Sequence, residues 1–251
     1  IIDRLNTYKK GIFTMSNELM LIINIVVVYF LTLTSYYLFG KKGVLCWNAI
    51  ATIAANIEVM ILIEAFGMEQ TLGNIMFATT FVATDILSEN YGKKEAALAV
   101  KTGIFVSVAF IIFTRIWLMY TPSENDTVMP SVITVFSNTP RVMLAGFVVY
   151  GIVQAADVFL YHKIWKFTEK LSGSTKGFLW LRNNAATLIS QFLNAILFNL
   201  AAFAGVYDAK TLVSIIISTY VIYIITSLAD TPVVYLARRM KQSDRVSVLY
   251  R

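Results

Sequence analysis

The feature that most constrains this chain is a series of seven apolar stretches, each close to the length that crosses a bilayer as a helix. A membrane-spanning helix needs about 20 mostly apolar residues. Backbone polar groups in lipid must pair within the segment, so helices are predicted, and strands are not expected because no alternating pattern repeats. The stretches cover 19–39, 43–65, 71–90, 97–120, 140–161, 183–207 and 211–237.

The composition points to the same class of protein. Of the 251 residues, 57% are hydrophobic and only 14% are charged, whereas soluble domains carry about 25% charged residues. The single cysteine excludes an internal disulfide, and one cysteine with one histidine argues against a zinc site. The sequence has no Gly-rich phosphate loop and no hydrolase signature, so we expect no enzyme, no cofactor and no metal.

The predicted organisation has three parts. Residues 1–18 form an N-terminal extension, 19–237 a membrane domain and 238–251 a basic cytoplasmic tail. Met15 resembles a natural start, so residues 1–14 are expected to be poorly ordered. The first apolar stretch is longer than a typical signal sequence core and has no small-x-small cleavage site, so it is predicted to remain as a span. A short surface helix is expected at 131–139.

The distribution of lysine and arginine predicts the orientation. If the loop at 40–42 is cytoplasmic and the spans alternate, 15 of the 21 basic residues lie on the cytoplasmic side and 6 lie outside. Basic residues are enriched in cytoplasmic loops. We therefore expect the N-terminus outside and the C-terminus inside.

An aspartate recurs near the cytoplasmic end of three predicted spans. Asp85, Asp157 and Asp230 each follow a small residue and precede a basic cluster by six to nine residues. They are thus predicted at similar depth, about 12 Å from the basic residues at 1.5 Å per residue. Ionisable residues inside a membrane are costly and are candidates for function.

Amides and tyrosines share helix faces with these aspartates, at spacings of three and four residues. Such faces predict a common polar cavity, although the same residues also stabilise helix contacts without a ligand. The candidate substrate-binding residues are Asp85, Asp157, Asp230, Gln154, Gln191, Asn194, Tyr223 and Asn184.

A second polar group lies toward the predicted outer side. Glu64 with Arg115 or Arg141 is a candidate ion pair that closes this side. Equally, the two arginines can extend to the interface without a gating role.

Four segments resemble the queuosine precursor transporter family, also called the vitamin uptake transporter group. They are "TDILSENYGKKEA" at 84–96, "PRVMLAGFVVYGIVQAADVFLYHK" at 140–163, "SQFLNAILFNLAAF" at 190–203 and "ADTPVVYLA" at 229–237. The resemblance implies an all-α, polytopic helical bundle with a six-helix transporter core, here 43–237, and 19–39 as one extra N-terminal span. Many family members have an acidic residue at the position of Asn194 and a lysine near Tyr223, so the exact substrate stays open.

The resemblance implies an importer of 7-deazaguanine bases, queuine or queuosine for tRNA modification or salvage, located in a bacterial inner membrane. Such a base presents adjacent N–H and amino donors that a carboxylate accepts as a pair, and a flat ring on which tyrosine stacks. The pocket is expected between the midplane and the cytoplasm. The alternative is a substrate-binding subunit that needs a separate ATPase module, for which the small residues Ala51 and Ala55 offer a contact. A homodimer is a further possibility, and no nucleic acid is expected as a partner.

Overall fold

The computed structural model describes residues 15–137, 140–174 and 177–242. Predictions for residues 1–14 and for most of the basic tail concern segments outside these ranges. The elements are α1 (Asn17–Glu58), β1 (Leu62–Ala65), β2 (Met68–Thr71), α2 (Gly73–Tyr91), α3 (Lys93–Trp117), α4 (Met129–Ser137), α5 (Pro140–Ser172), α6 (Leu179–Phe203) and α7 (Ala209–Gln242).

Five of the helices in the described ranges are long and apolar enough to cross a membrane: α1, α3, most of α5, α6 and α7. Large apolar side chains on them face outward; Phe30, Phe105 and Leu228 are at least 60% exposed. Exposed apolar surface of this extent marks a lipid contact in a helical protein. The chain is therefore an all-α, multi-pass membrane protein.

The first helix reverses its direction in the middle. Gly40 interrupts α1 with φ 60° and ψ −143°, a backbone conformation that glycine adopts readily. A straight helix of this length would extend about 63 Å. Instead, the Asn17 side chain donates to the Glu64 carbonyl at 2.8 Å, so the two ends of α1 lie together. The reversal falls between the apolar stretches 19–39 and 43–65.

A two-stranded hairpin follows α1, so the expectation of no strands was wrong. Leu62 pairs with Thr71 and Ala65 with Met68 in an antiparallel register. Phe66 and Gly67 both have positive φ, as a tight hairpin turn requires. Strands of four residues are too short to show an alternating pattern, and this hairpin lies where the sequence suggested the end of a spanning stretch.

Helix α2 lies at the centre of the bundle. Fifteen of its 19 residues are buried, and it packs against α1, α3, α5 and α7. A helix that is buried on all sides belongs to the core of its domain. This placement explains how α2 carries threonines, an asparagine and Asp85 without presenting them to lipid.

The short helix expected at 131–139 is observed as α4. Its Phe136 ring packs edge-on against Phe110 and Trp117 of α3, at centroid distances of 6.0 and 6.2 Å. The contact fixes α4 against the same end of the bundle as the hairpin, because Trp117 is the last residue of α3.

Candidate functional site

Two ends of the bundle frame the polar interior. The hairpin end carries β1, β2, α4 and residue 17. The basic end carries Gly40, the α2–α3 junction at Gly92 and the last turns of α5 and α7, with their lysines and arginines. The polar groups between them fall into three levels, described in turn.

The middle level is the acidic layer, defined as Asp85, Asp157 and Asp230. They come from α2, α5 and α7, and each is at most 1% exposed. The three carboxylates lie within electrostatic range of one another. The structure therefore brings together the three aspartates that the sequence placed at similar depth.

The three carboxylates differ in their hydrogen bonds. Thr187 donates to Asp85 Oδ2 at 3.3 Å, and the Tyr29 hydroxyl donates to Asp230 Oδ1. Neither oxygen of Asp157 accepts a hydrogen bond from the described residues, and one oxygen each of Asp85 and Asp230 also has none. Buried polar atoms are rarely left in this state unless water, an ion or a ligand completes them.

A pocket lies between the acidic layer and the hairpin end. The sequence predicted a cavity between the midplane and the cytoplasm, whereas this hairpin-end pocket lies on the side of the acidic layer away from the basic end. It is lined by Thr52, Ala55, Asn56, Val59, Thr71, Gly73, Asn74, Phe77, Thr80, Ser107, Val142, Gly146, Tyr150, Asn194, Phe198 and Tyr223. None of these lining residues carries a formal charge, and the acidic layer is not among them.

A polar chain and aromatic rings shape the hairpin-end pocket. Asn194 donates to the Tyr223 hydroxyl at 2.8 Å, and that hydroxyl donates to Asn74 Oδ1 at 3.3 Å. The Phe77 ring lies 6.0 Å from the Tyr150 ring and 6.3 Å from the Tyr223 ring. The pocket therefore offers amides and hydroxyls for hydrogen bonds and aromatic faces for a flat ligand.

The remaining predicted amides have separate placements. Gln154 joins the pocket to the acidic layer, because it donates to Thr80 at 2.5 Å and accepts from Thr84 at 3.3 Å. Gln191 is fully buried, and neither of its polar atoms has a partner among the described residues. Asn184 donates to Thr231 at 2.6 Å and so stabilises the contact between α6 and α7, outside the pocket lining.

The candidate outer ion pair is not formed in this structure. Among the described residues, no salt bridge joins Glu64 to Arg115 or Arg141. Arg141 instead donates to the carbonyls of Ala201 and Ala204 at 2.8 and 2.7 Å, where α6 ends. The carbonyls at a helix C-terminus lack helical partners, so this contact caps α6. One guanidinium nitrogen of Arg115 is buried without a partner.

The third level closes the basic end and was missed by the sequence analysis. Arg182, fully buried, binds both carboxylate oxygens of Glu89 at 2.6–3.0 Å. Arg238 lies 3.3 Å from the same carboxylate, and Tyr161 donates to it at 2.9 Å. The Arg182 guanidinium also lies over the Trp165 ring at 4.3 Å. We name these five residues the basic-end cluster.

Two signals could have indicated missing parts of the site. Arg182 directly precedes the apolar stretch 183–207, which suggested an interfacial position, although a fixed charge there can equally point inward toward an acidic partner. Tyr29 is the sole aromatic hydroxyl in the run "INIVVVYFL", and such a group usually has a partner when buried. Neither signal identifies the partner, because the contacts span 93 and 201 residues.

Comparisons with known proteins identify relatives of this chain. A family profile described as "Putative vitamin uptake transporter" matches residues 71–237. A protein of Bacillus subtilis (strain 168) named "Probable queuosine precursor transporter" is 34% identical over 224 residues, which cover 88% of this chain and 95% of the relative. No solved structure matches the chain.

Proposed function

The chain belongs to the vitamin uptake transporter family, and on that premise we propose that it imports a queuosine precursor across the membrane. The substrate would be a 7-deazaguanine base, queuine or queuosine, used for tRNA modification or salvage. The name of the B. subtilis relative supports this substrate class. An importer needs polar groups inside the bilayer but no reactive group, which agrees with a site made of amides, hydroxyls and carboxylates.

One observation carries the proposal: unpartnered buried polar atoms from α2, α6 and α7 lie beside a pocket with aromatic walls. A deazaguanine has donors on one edge, a carbonyl acceptor and a flat bicyclic face. We propose that Phe77, Tyr150 and Tyr223 contact the ring, that Asn194 binds its polar edge, and that Asp85 or Asp230 accepts the paired N–H and amino donors. Gln191 has a free amide for the carbonyl.

We propose the following topology. The break at Gly40 makes the two halves of α1 separate passes, so that α2, α3, α5, α6 and α7 complete seven, of which the first is added to a six-helix core. Seven passes place residue 17 and residue 241 on opposite sides. The excess of basic residues at the basic end supports a cytoplasmic location for it in a bacterial inner membrane. The hairpin-end pocket then faces outward, where Glu64 and Arg115 would pair only after closure.

This topology is tested by cysteine labelling. The native Cys46 is exposed and is first replaced by serine. In that background, Lys42→Cys should react with a membrane-impermeant maleimide only after the cytoplasmic side is opened. Labelling in intact cells would invert the proposed orientation.

The alternative is a subunit that depends on a separate ATPase module. Its main support was the pair Ala51 and Ala55 as a contact surface, and the structure shows that this pair is buried. Ala51 and Ala55 are 0% and 8% exposed, and Gly73 of α2 lies against the Ala55 carbonyl so closely that a Cβ at Gly73 would come within 3.0 Å of it. The small residues thus serve packing within this chain. The same contact leaves that pair unavailable as a docking surface.

Uptake by the purified protein in liposomes tests the function and this alternative together. We expect uptake of a labelled 7-deazaguanine base without any partner protein. In cells that lack their own importer, expression of the chain should restore queuosine in tRNA when one precursor is supplied at low concentration. Failure of every precursor in both assays would refute the proposed function, and uptake that requires an added ATPase would favour the alternative.

A further inference from the structure

One face of α5 connects all three levels of the polar interior. It presents Tyr150, Gln154, Asp157 and Tyr161 at spacings of four, three and four residues. Tyr150 lies 3.5 Å from the Asn48 amide, Gln154 bonds to Thr80, and Tyr161 donates to Glu89. Asp157 is the one member of this face that has no hydrogen-bond partner among the described residues.

A permanently ionised carboxylate is hard to reconcile with this position. Asp157 is 0% exposed, and it lies within electrostatic range of Asp85 and Asp230. Arg182, the fully buried cation of the basic-end cluster, is already bound by both oxygens of Glu89. A buried charge without a partner costs several kcal/mol, so such a group takes up a cation or a proton.

A second observation also points to a ligand at this level. Gln191 is fully buried with both polar atoms unpartnered, and it lies one helical turn from Thr187, which donates to Asp85. The Ser190 hydroxyl is close enough to Asp157 to stabilise its carboxylate, but it does not reach hydrogen-bonding geometry. Buried groups of α6 that can still form hydrogen bonds therefore lie at the level of the acidic layer.

The spacing of the acidic groups favours a proton over a metal ion held by several carboxylates. Among the described residues, no three acidic, histidine or cysteine side chains are close enough together to hold a metal ion. A proton needs only one carboxylate oxygen. We propose that Asp157 is a proton-binding site and that its protonation and deprotonation couple import to the proton gradient. This inference rests on the proposed function.

The proton balance of the cycle is simple. A proton from outside water forms an O–H bond on an Asp157 oxygen, and the same bond breaks later to return the proton to cytoplasmic water. On the side of the pocket, Gln154 and Thr80 lead toward Asp157. On the other side, Tyr161, Glu89 and Arg182 separate it from the basic end, so release requires the basic-end cluster to open.

Other ionisable groups face the same interior as Asp157. They are Tyr29 from α1, Asp85 and Glu89 from α2, Tyr161 from α5, Arg182 from α6 and Asp230 from α7. Asp85 and Asp230 each accept a hydrogen bond that Asp157 lacks. Asp157 is for that reason the one carboxylate of the acidic layer in which both oxygens are open to a proton.

The test uses the purified full chain in liposomes and a labelled 7-deazaguanine base. An outside solution about one pH unit more acidic should raise accumulation about tenfold for one proton per substrate, since one pH unit is worth 1.36 kcal/mol. Asp157→Asn imitates the protonated side chain. An acidic outside solution should therefore not raise accumulation by this variant, while labelled base inside the liposomes still exchanges with unlabelled base outside. Asp157→Glu should keep a response to the gradient.

Asp208→Asn is the matched control. Asp208 is exposed before α7, where bonds from Thr211 lower the pKa of its carboxyl. Asparagine is also a good helix cap, so gradient-driven uptake should remain. Wild-type uptake that ignores the gradient, or gradient-driven accumulation by Asp157→Asn, would overturn proton coupling alone. Absence of base exchange by the wild type under every condition would overturn the proposed function and, with it, this inference.

Discussion

The hairpin end and the basic end of the bundle handle polar groups in opposite ways. At the hairpin end, amides, hydroxyls and aromatic rings surround a pocket with no charged lining. At the basic end, Glu89 is held by two arginines and a tyrosine in a contact that joins α2, α5, α6 and α7. The acidic layer lies between them.

The difference indicates which side of the pathway is closed in this structure. A neutral pocket costs little to hydrate and can exchange one ligand for another. A buried, paired charge is expensive to separate, because each ion then loses its partner in a poorly solvated site. The basic-end cluster therefore acts as the closed side, and the pocket as the accessible side.

The largest effect is expected from breaking the basic-end cluster. Arg182→Ala leaves Glu89 buried with only Arg238 and Tyr161 as partners, which should cost about 3–5 kcal/mol of stability. Thermal unfolding of the purified protein in detergent measures this loss. The control is Lys41→Ala, which removes an ion pair with Glu95 that is 42% and 25% exposed; exposed pairs are worth less than about 1 kcal/mol. Equal stability of both variants would contradict the comparison.

A smaller effect, on uptake, is expected from adding a side chain at Gly103, which lies against the pocket residue Tyr150. Gly103 lies directly against the Tyr150 hydroxyl, so any Cβ at position 103 displaces that ring. Gly103→Val should therefore reduce uptake strongly while the protein still elutes as a folded species. Gly151→Ala is the matched control, because its Cβ would meet only the flexible end of Ile104 at 3.3 Å. Normal uptake by Gly103→Val would remove Tyr150 from the site.

A still smaller effect is expected from one hydroxyl in the pocket. Tyr223→Phe keeps the ring but removes a group that bonds to Asn194 and Asn74. One hydrogen bond is worth about 0.5–1.5 kcal/mol, so the KM for uptake should rise about 2- to 10-fold with little change in folding. Tyr220→Phe, on the same helix but packed against Phe192 outside the pocket, should leave KM unchanged. An unaffected KM in Tyr223→Phe would exclude the hydroxyl from recognition.

The smallest effect, on stability, is expected at Arg141, which the sequence suggested as a partner of Glu64 in an outer gate. Because it caps the carbonyls of Ala201 and Ala204, Arg141→Ala should lower stability by about 1 kcal/mol without changing the rate of uptake. A large change in uptake with unchanged stability would restore the gating interpretation.

The sequence could predict those parts of the molecule that depend on local periodicity. Apolar stretches indicated the helices, and the repeated pattern of a small residue, an aspartate and a basic cluster indicated Asp85, Asp157 and Asp230. It could not predict the basic-end cluster or the bond between Tyr29 and Asp230, since these depend on which helices are neighbours. It also missed the hairpin, whose four-residue strands give no periodic signal.

The bond between Tyr29 and Asp230 also sets an order of events during synthesis. Its partners are 201 residues apart, so at about 5–20 residues per second the ribosome needs roughly 10–40 s between them. During that time the Tyr29 hydroxyl, in the first segment inserted into the bilayer, lacks its Asp230 hydrogen-bond partner. The polar interior is consequently completed in one of the last steps of biogenesis. Chains released before residue 230 would keep Tyr29 without its hydrogen-bond partner, a defect that quality-control proteases could recognise.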